Sequence, residues 1–213
     1  MEQTIEGALK SLQHQTMGKV FERFPFTLKE DTCKGFLERA YMQEAGITEL
    51  DDAAKGHIMD MCQWLINSDK WGVMLMGSVG NGKTTLMKAT VKLLKTAYSN
   101  TLTESGIPMM VSMSTTTAKD LTNAARKGAE FNNNQYMVCA IDDMGEEPTE
   151  VMSFGNVITP ITDIIEERYA KRQITIITTN LDANGIKNKY GERVADRLRQ
   201  MVRIITFTNP SYR

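Results

Sequence analysis

No stretch of this 213-residue chain approaches the roughly 20 consecutive apolar residues that a membrane-spanning helix requires. The opening Met1-Glu2-Gln3-Thr4-Ile5-Glu6 is acidic and lacks the basic start and apolar core of a signal peptide. Cysteine is scarce: Cys33, Cys62 and Cys139 lie far apart within apolar patterns. An odd count without a C-x-x-C pair speaks against both a disulfide framework and a structural zinc, so a reducing cytoplasm is the expected compartment. Neither sign of charge dominates, since 25 Lys and Arg face 26 Asp and Glu. Internal repeats and low-complexity tracts are lacking too, and Asn132-Asn133-Asn134 is too short to be more than a loop. What remains is an ordinary globular composition, long enough for one α/β domain with a small appendage.

The charge is unevenly spread. Residues 1–70 carry 8 basic against 12 acidic side chains, and residues 181–213 carry 7 against 3, which points to different partners at the two ends. Ile5, Leu9, Leu12, Val20 and Phe21 outline a short amphipathic helix that Phe24-Pro25-Phe26 breaks. Thr27-Leu28-Lys29-Glu30 has capping-box spacing, and Phe36, Leu37, Ala40 and Tyr41 continue a helical face that Gly46 ends. Thr48 is expected to cap a third helix with a wide apolar stripe from Leu50 to Ile66.

From residue 71 the pattern alternates. Strands are expected over 73–76, 109–113, 136–141, 174–179 and 203–207, and helices over 83–97, 117–128, 155–171 and 191–200. Strands that are apolar on both faces and separated by helices form a parallel sheet covered on both sides. The 15 methionines concentrate in these strands and helix faces, as core filling does.

The segment Gly77-Ser78-Val79-Gly80-Asn81-Gly82-Lys83-Thr84 is a complete phosphate-binding loop between an apolar strand and a helix that opens with Thr85. Its glycines let successive N–H groups point inward at phosphate oxygens, and the helix N-terminus adds partial positive charge. Lys83 is expected to reach the β- and γ-phosphates, and the Thr84 hydroxyl to ligate Mg²⁺. Such a loop alone fits kinases, GTPases, transporters and motors.

Three further features narrow it. The strand ending Ile141-Asp142-Asp143 delivers two carboxylates where ligands of open α/β sheets sit. Asp142 is placed to hold Mg²⁺, and Asp143 to orient and deprotonate an attacking water. Many such ATPases carry Glu where this chain has the shorter Asp143, so slow hydrolysis is expected. Thr178-Thr179-Asn180 closes the fourth strand, and the Asn180 amide can stand between a γ-phosphate and that water. Arg193 and Arg197 are four apart on one helix face; in ring-forming ATPases an arginine from one subunit stabilises the γ-phosphate in its neighbour's site.

From about residue 48 onward the chain resembles the AAA+ domain of the DnaC-type replicative helicase loaders and is similar to the related IstB-type transposition ATPases. The resemblance rests on Gly77–Thr84, Ile141-Asp142-Asp143-Met144-Gly145, Thr178-Thr179-Asn180, Gly191-Glu192-Arg193 with Asp196-Arg197-Leu198, and the closing Phe207 and Ser211-Tyr212-Arg213. It implies an α/β P-loop NTPase of AAA+ type: a three-layer sandwich around a five-stranded parallel sheet, lacking a C-terminal lid because the sequence stops just after its last strand. Residues 1–47 would form a short α-helical partner-binding module, and residues 48–213 the ATPase domain.

By the same resemblance Lys83 and Thr84 are the Walker A residues, Asp142 and Asp143 the Walker B pair and Asn180 the first sensor. Arg197 is the favoured arginine finger, with Arg193 second. Lys119, Arg126 and Lys127 occupy the place where initiator-type relatives contact single-stranded DNA. The implied cofactors are ATP and Mg²⁺. The implied partners are a replicative ring helicase, single-stranded DNA and further copies of the chain joined through nucleotide. An IstB-like helper would hold duplex DNA and a transposase instead. A nucleotide-gated adaptor and a P-loop kinase are the remaining alternatives, though a kinase does not account for Asn180 or the arginine helix.

Overall fold

The computed structural model describes residues 24–103, 105–128 and 137–212; the helix expected over the first 20 residues lies outside them, as do Tyr136 and Asn132-Asn133-Asn134. The described chain runs α1 (Glu30–Ala45), α2 (Asp52–Asn67), β1 (Gly72–Gly77), α3 (Lys83–Ser99), β2 (Met113–Thr117) and α4 (Ala118–Arg126). It continues through β3 (Val138–Met144), β4 (Val151–Ser153), β5 (Asn156–Ile158), α5 (Pro160–Ala170), β6 (Ile174–Thr179), α6 (Ala183–Met201) and β7 (Val202–Phe207).

Five of the strands form one sheet in the order β2-β3-β6-β1-β7, every pairing parallel. Because strand side chains alternate between faces, each strand feeds two cores. Val73, Leu75, Val138, Ala140, Ile174 and Ile176 join α1, α2 and α3 on one face. Met74, Cys139, Ile141 and Ile177 join α4, α5 and α6 on the other. This is the expected three-layer sandwich, and it explains why the central strands read as unbroken apolar runs.

The order has a consequence for chemistry. The strand that follows the loop in sequence, β2, lies at the far edge, while β6 is inserted between β1 and β3. The C-terminal ends of β1, β6 and β3 are therefore neighbours, which is where open parallel sheets bind ligands.

Several elements depart from the sequence pattern. The second strand begins at Met113 rather than ending there: β2 pairs Met113 with Val138 and Thr117 with Asp142, so the threonine run forms the ladder. β-Branched residues suit a pleated edge, whereas Met110, almost fully exposed, pairs with nothing in that sheet. The long helix expected from residue 155 begins at Pro160, whose missing N–H costs nothing in a first helical turn. Ahead of it β4 and β5 form a hairpin whose two-residue loop, Phe154-Gly155, has φ of 47° and 85°. Both values are left-handed, as a tight turn matching strand twist requires.

α2 is capped by Asp51, which accepts from the Ala54 N–H at 2.7 Å, and not by Thr48. α6 starts at Ala183, about two turns earlier than the residue-191 start, and kinks at Gly191, where φ 85° and ψ 167° leave the helical region. The helix α1, on the N-terminal side of the expected boundary at residue 47, buries Cys33, Leu37, Ala40 and Tyr41 in the same cluster as α2 and α3.

Candidate nucleotide site

The loop between β1 and α3 wraps around its own lysine. Lys83, almost wholly buried, donates from Nζ to the carbonyls of Gly77 at 2.8 Å and Ser78 at 2.5 Å and to Asn81 Oδ1 at 3.0 Å. All three ammonium protons are thus engaged within the loop. Burial pulls the Lys83 ammonium below its ordinary range, while the Asp143 and Asp142 carboxylates oppose that shift.

Asn81 is fully buried and does more than fill a loop position. Its Nδ2 donates to the Phe207 carbonyl at 3.2 Å, tying the loop to the end of β7. Gly82 has φ of 98°, and a Cβ there would collide with the Tyr41 hydroxyl, so the glycine is required twice over.

The carboxylates arrive from β3. Thr84 Oγ1 donates to Asp142 Oδ1 at 2.9 Å, and Thr178 Oγ1, from β6, donates to the same oxygen at 2.5 Å. Thr178 in turn accepts from the Asp143 N–H at 2.8 Å. A hydroxyl and a carboxylate held edge to edge form the hard oxygen donor set that Mg²⁺ takes. Thr84 and Asp142 therefore fit that ion.

Asp143 has φ of 53°, a left-handed conformation that Asp tolerates better than most residues. The β3 ladder shifts register between Ile141 and Met144 at this point. Past it, the chain is anchored to α6. Buried Glu147 accepts from the Gly145 N–H at 2.8 Å and from the Tyr190 hydroxyl, and Lys189 Nζ donates to the Gly145 carbonyl at 2.8 Å. Burial, reinforced by Glu147, pushes the Tyr190 phenol well above its ordinary range.

These parts line one cleft of about 970 Å³, ample for a nucleotide. Its phosphate end holds Val79 to Thr85 with Asp143, Glu146 and Asn180. Its other end is built by the α1–α2 connection, with Tyr41, Ile47 and Asp51, and by Tyr212. The segment after β7 is strapped across the loop: the Tyr212 N–H donates to the Gly80 carbonyl at 2.9 Å and its hydroxyl to Asp51 Oδ1 at 3.1 Å.

Val79 to Thr85, Asp143 and Asn180 thus meet in one cleft, with Asp142 bonded to its lining residue Thr84. Arg193 and Arg197 do not line it. Both pair with Glu166 of α5, Arg193 Nε at 3.0 Å and Arg197 Nη1 at 2.7 Å, and the Arg197 guanidinium lies 5.4 Å from the centre of the Tyr169 ring. Lys119, Arg126 and Lys127 are exposed on and just after α4, with no ion pair among the described residues.

Sequence reasoning missed the contributions of Asn81, Thr178, Glu146 and Glu147. Thr178 lies in the Thr178-Thr179-Asn180 motif, but only strand order shows that it faces Asp142. Glu146 and Glu147 carried a signal, two acids directly after the carboxylate strand, that could have been read.

The fold is shared with solved structures of two other proteins, DnaC and DnaI. The chain superposes on a crystal structure of the DnaC helicase loader with TM-score 0.57 and 20% identity, covering 79% of this chain and 98% of that one. It matches a crystal structure of DnaI with TM-score 0.56 and 20% identity, over 80% and 89% of the two chains. A structure of the replication initiator DnaA bound to AMPPCP and single-stranded DNA matches at TM-score 0.51 and 14% identity, over 82% of this chain and 50% of that one. No family model matches the sequence, and no curated protein does.

Proposed function

We propose that this chain is a cytoplasmic ATPase that binds ATP and Mg²⁺, assembles with further copies of itself and loads a replicative ring helicase onto single-stranded DNA. The observation that carries the ATPase part is the convergence of Lys83, Thr84, Asp143 and Asn180 in one cleft, with Asp142 hydrogen-bonded to Thr84. The loader part is supported by the likeness to the DnaC and DnaI structures, which extends over nearly the whole of those chains.

In this reading the loop N–H groups and the N-terminus of α3 hold the phosphates, and Lys83 exchanges its bonds to loop carbonyls for phosphate oxygens. Thr84 and Asp142 hold Mg²⁺, which when bound neutralises charge on the β- and γ-phosphates. Asp143 and Asn180 orient the attacking water. Arg197, with Arg193 beside it, reaches the γ-phosphate of a neighbouring copy, because it stands outside its own cleft. Lys119, Arg126 and Lys127 bind the DNA backbone, and residues 1–47 engage the helicase.

The test is ATP turnover by the full chain with and without single-stranded DNA, together with recovery of its partner from the source cells. Stimulation by single-stranded DNA and recovery of a ring helicase are expected. Stimulation by duplex DNA alone with recovery of a transposase would establish the IstB-like reading. Turnover that ignores DNA would leave a nucleotide-gated adaptor.

A further inference from the structure

The attacking water needs a carboxylate that can reach it, and the one assigned so far is short and constrained. Asp143 sits at φ of 53° on the β3 irregularity. Three residues on, a second carboxylate enters the same cleft. The Glu146 N–H donates to the Asp143 carbonyl at 3.1 Å, closing a tight turn through Met144 and Gly145. Gly145 makes that turn possible: φ is 115°, and a Cβ there would stand 2.8 Å from the Leu181 side chain. The turn is held from below by Glu147 and Lys189. Its product is an exposed Glu146 that lines the phosphate end of the cleft and accepts from Asn180 Nδ2 at 3.2 Å.

Glu146 thus touches the side chain whose amide is assigned to the water. It carries one more methylene than aspartate, and nothing packs its carboxylate away from solvent. A glutamate at position 143 would be less favourable, since longer side chains tolerate left-handed backbone less well than Asp. The geometry points to Glu146 as the general base of the hydrolysis site, with Asp143 confined to orienting the water. This rests on the ATPase reading above. In the step itself the water oxygen forms a bond to the γ-phosphorus, and the bond from that phosphorus to the β,γ-bridging oxygen breaks, its electron pair leaving with ADP. The proton released by the water passes to Glu146 and from there to solvent.

The experiment compares the unmodified chain with E146Q, D143E and the D143E/E146Q double variant, measuring both the affinity for ATP and single-turnover hydrolysis. Gln keeps an acceptor for Asn180, so a glutamate that merely steadies that amide loses little on E146Q. A general base loses roughly a hundredfold in rate, with ATP affinity unchanged within threefold. D143E then restores at least tenfold of the rate in the double variant, because a longer carboxylate now starts from β3. Turnover of E146Q within threefold of the unmodified chain overturns the inference. So does a large loss in E146Q that D143E fails to recover while both variants still bind ATP. An unmodified chain that binds no ATP refutes the ATPase reading first, and the assignment of Glu146 with it.

Discussion

The two basic centres of this chain are held in opposite ways. Lys83 is buried, desolvated and satisfied entirely by its own loop. Arg193 and Arg197 stand on the far side of the sheet, share one carboxylate, Glu166, and remain partly exposed. A buried cation bonded to carbonyls that phosphate can replace is preorganised for a ligand entering its own cleft. Cations bridged to a surface carboxylate are worth little to stability and are free to exchange partners with a second molecule. In the proposed assembly, that contrast separates what a single chain completes from what a neighbouring copy adds.

Breaking the first centre has the largest expected effect. Lys83→Ala lowers ATP affinity by at least a hundredfold, about 3 kcal/mol, in a titration with fluorescent ATP; retained affinity would remove the loop from the site. Arg197→Ala leaves ATP affinity intact and lowers turnover by roughly a thousandfold, about 4 kcal/mol, or abolishes assembly. Equal turnover by a monomeric preparation of that variant would erase the distinction between the centres.

A third arginine sharpens the comparison. Arg168 is fully buried, donates to Thr175 Oγ1 at 2.8 Å and to the Ile174 carbonyl at 2.5 Å, and does not line the nucleotide cleft. Burial lowers its pKa, which marks the cost of holding that charge. Arg168→Met lowers the unfolding free energy by about 3 kcal/mol by leaving those acceptors unpaired, without changing ATP affinity. Chemical denaturation against the Arg197 variant separates structural from functional arginine.

Lys119→Ala, Arg126→Ala and Lys127→Ala together flatten the salt dependence of single-stranded DNA binding by about two units of slope, from the single-strand figure of roughly 0.7 per phosphate contact. An unchanged slope would place the DNA elsewhere.

The smallest effect is a pH dependence where α2 meets β7. His57 stacks on Phe207 with ring centres 3.8 Å apart, and burial lowers its pKa from the ordinary 6.5. The unfolded chain takes up a proton on this imidazole near pH 6.5 and the folded chain resists it. Stability is therefore complete above pH 6.5 and falls as pH drops through that value toward the lower folded pKa. His57→Phe, by thermal melting between pH 5 and 8, removes that part of the slope.

The loop from Gly77 to Thr84, the acidic strand end and Asn180 were legible because each is a local pattern: a strand, then a turn whose residue types serve one chemistry. The apolar runs of β1, β3 and β6 were legible for the same reason, since strands buried on both faces lose their alternation. The edge strand β2 was not, because its threonines read as polar chain until β3 supplied a ladder. The hairpin at Phe154-Gly155 was hidden behind a helical spacing that ran straight through it. Thr178 read as one more strand residue, and its bond to Asp142 spans 36 positions.

The sequence alone determined that this chain has a glycine-rich loop of the phosphate-binding pattern, two carboxylates at a strand end and a parallel sheet, because short-range patterns specify local structure. The tertiary structure decided that β6 runs between β1 and β3, and so brought Thr178 onto Asp142 and Asn180 into the cleft. It also decided that Glu146 faces Asn180 while Arg197 faces Glu166. Strand order is set by how two cores pack on the faces of a sheet, and no window of sequence contains that information.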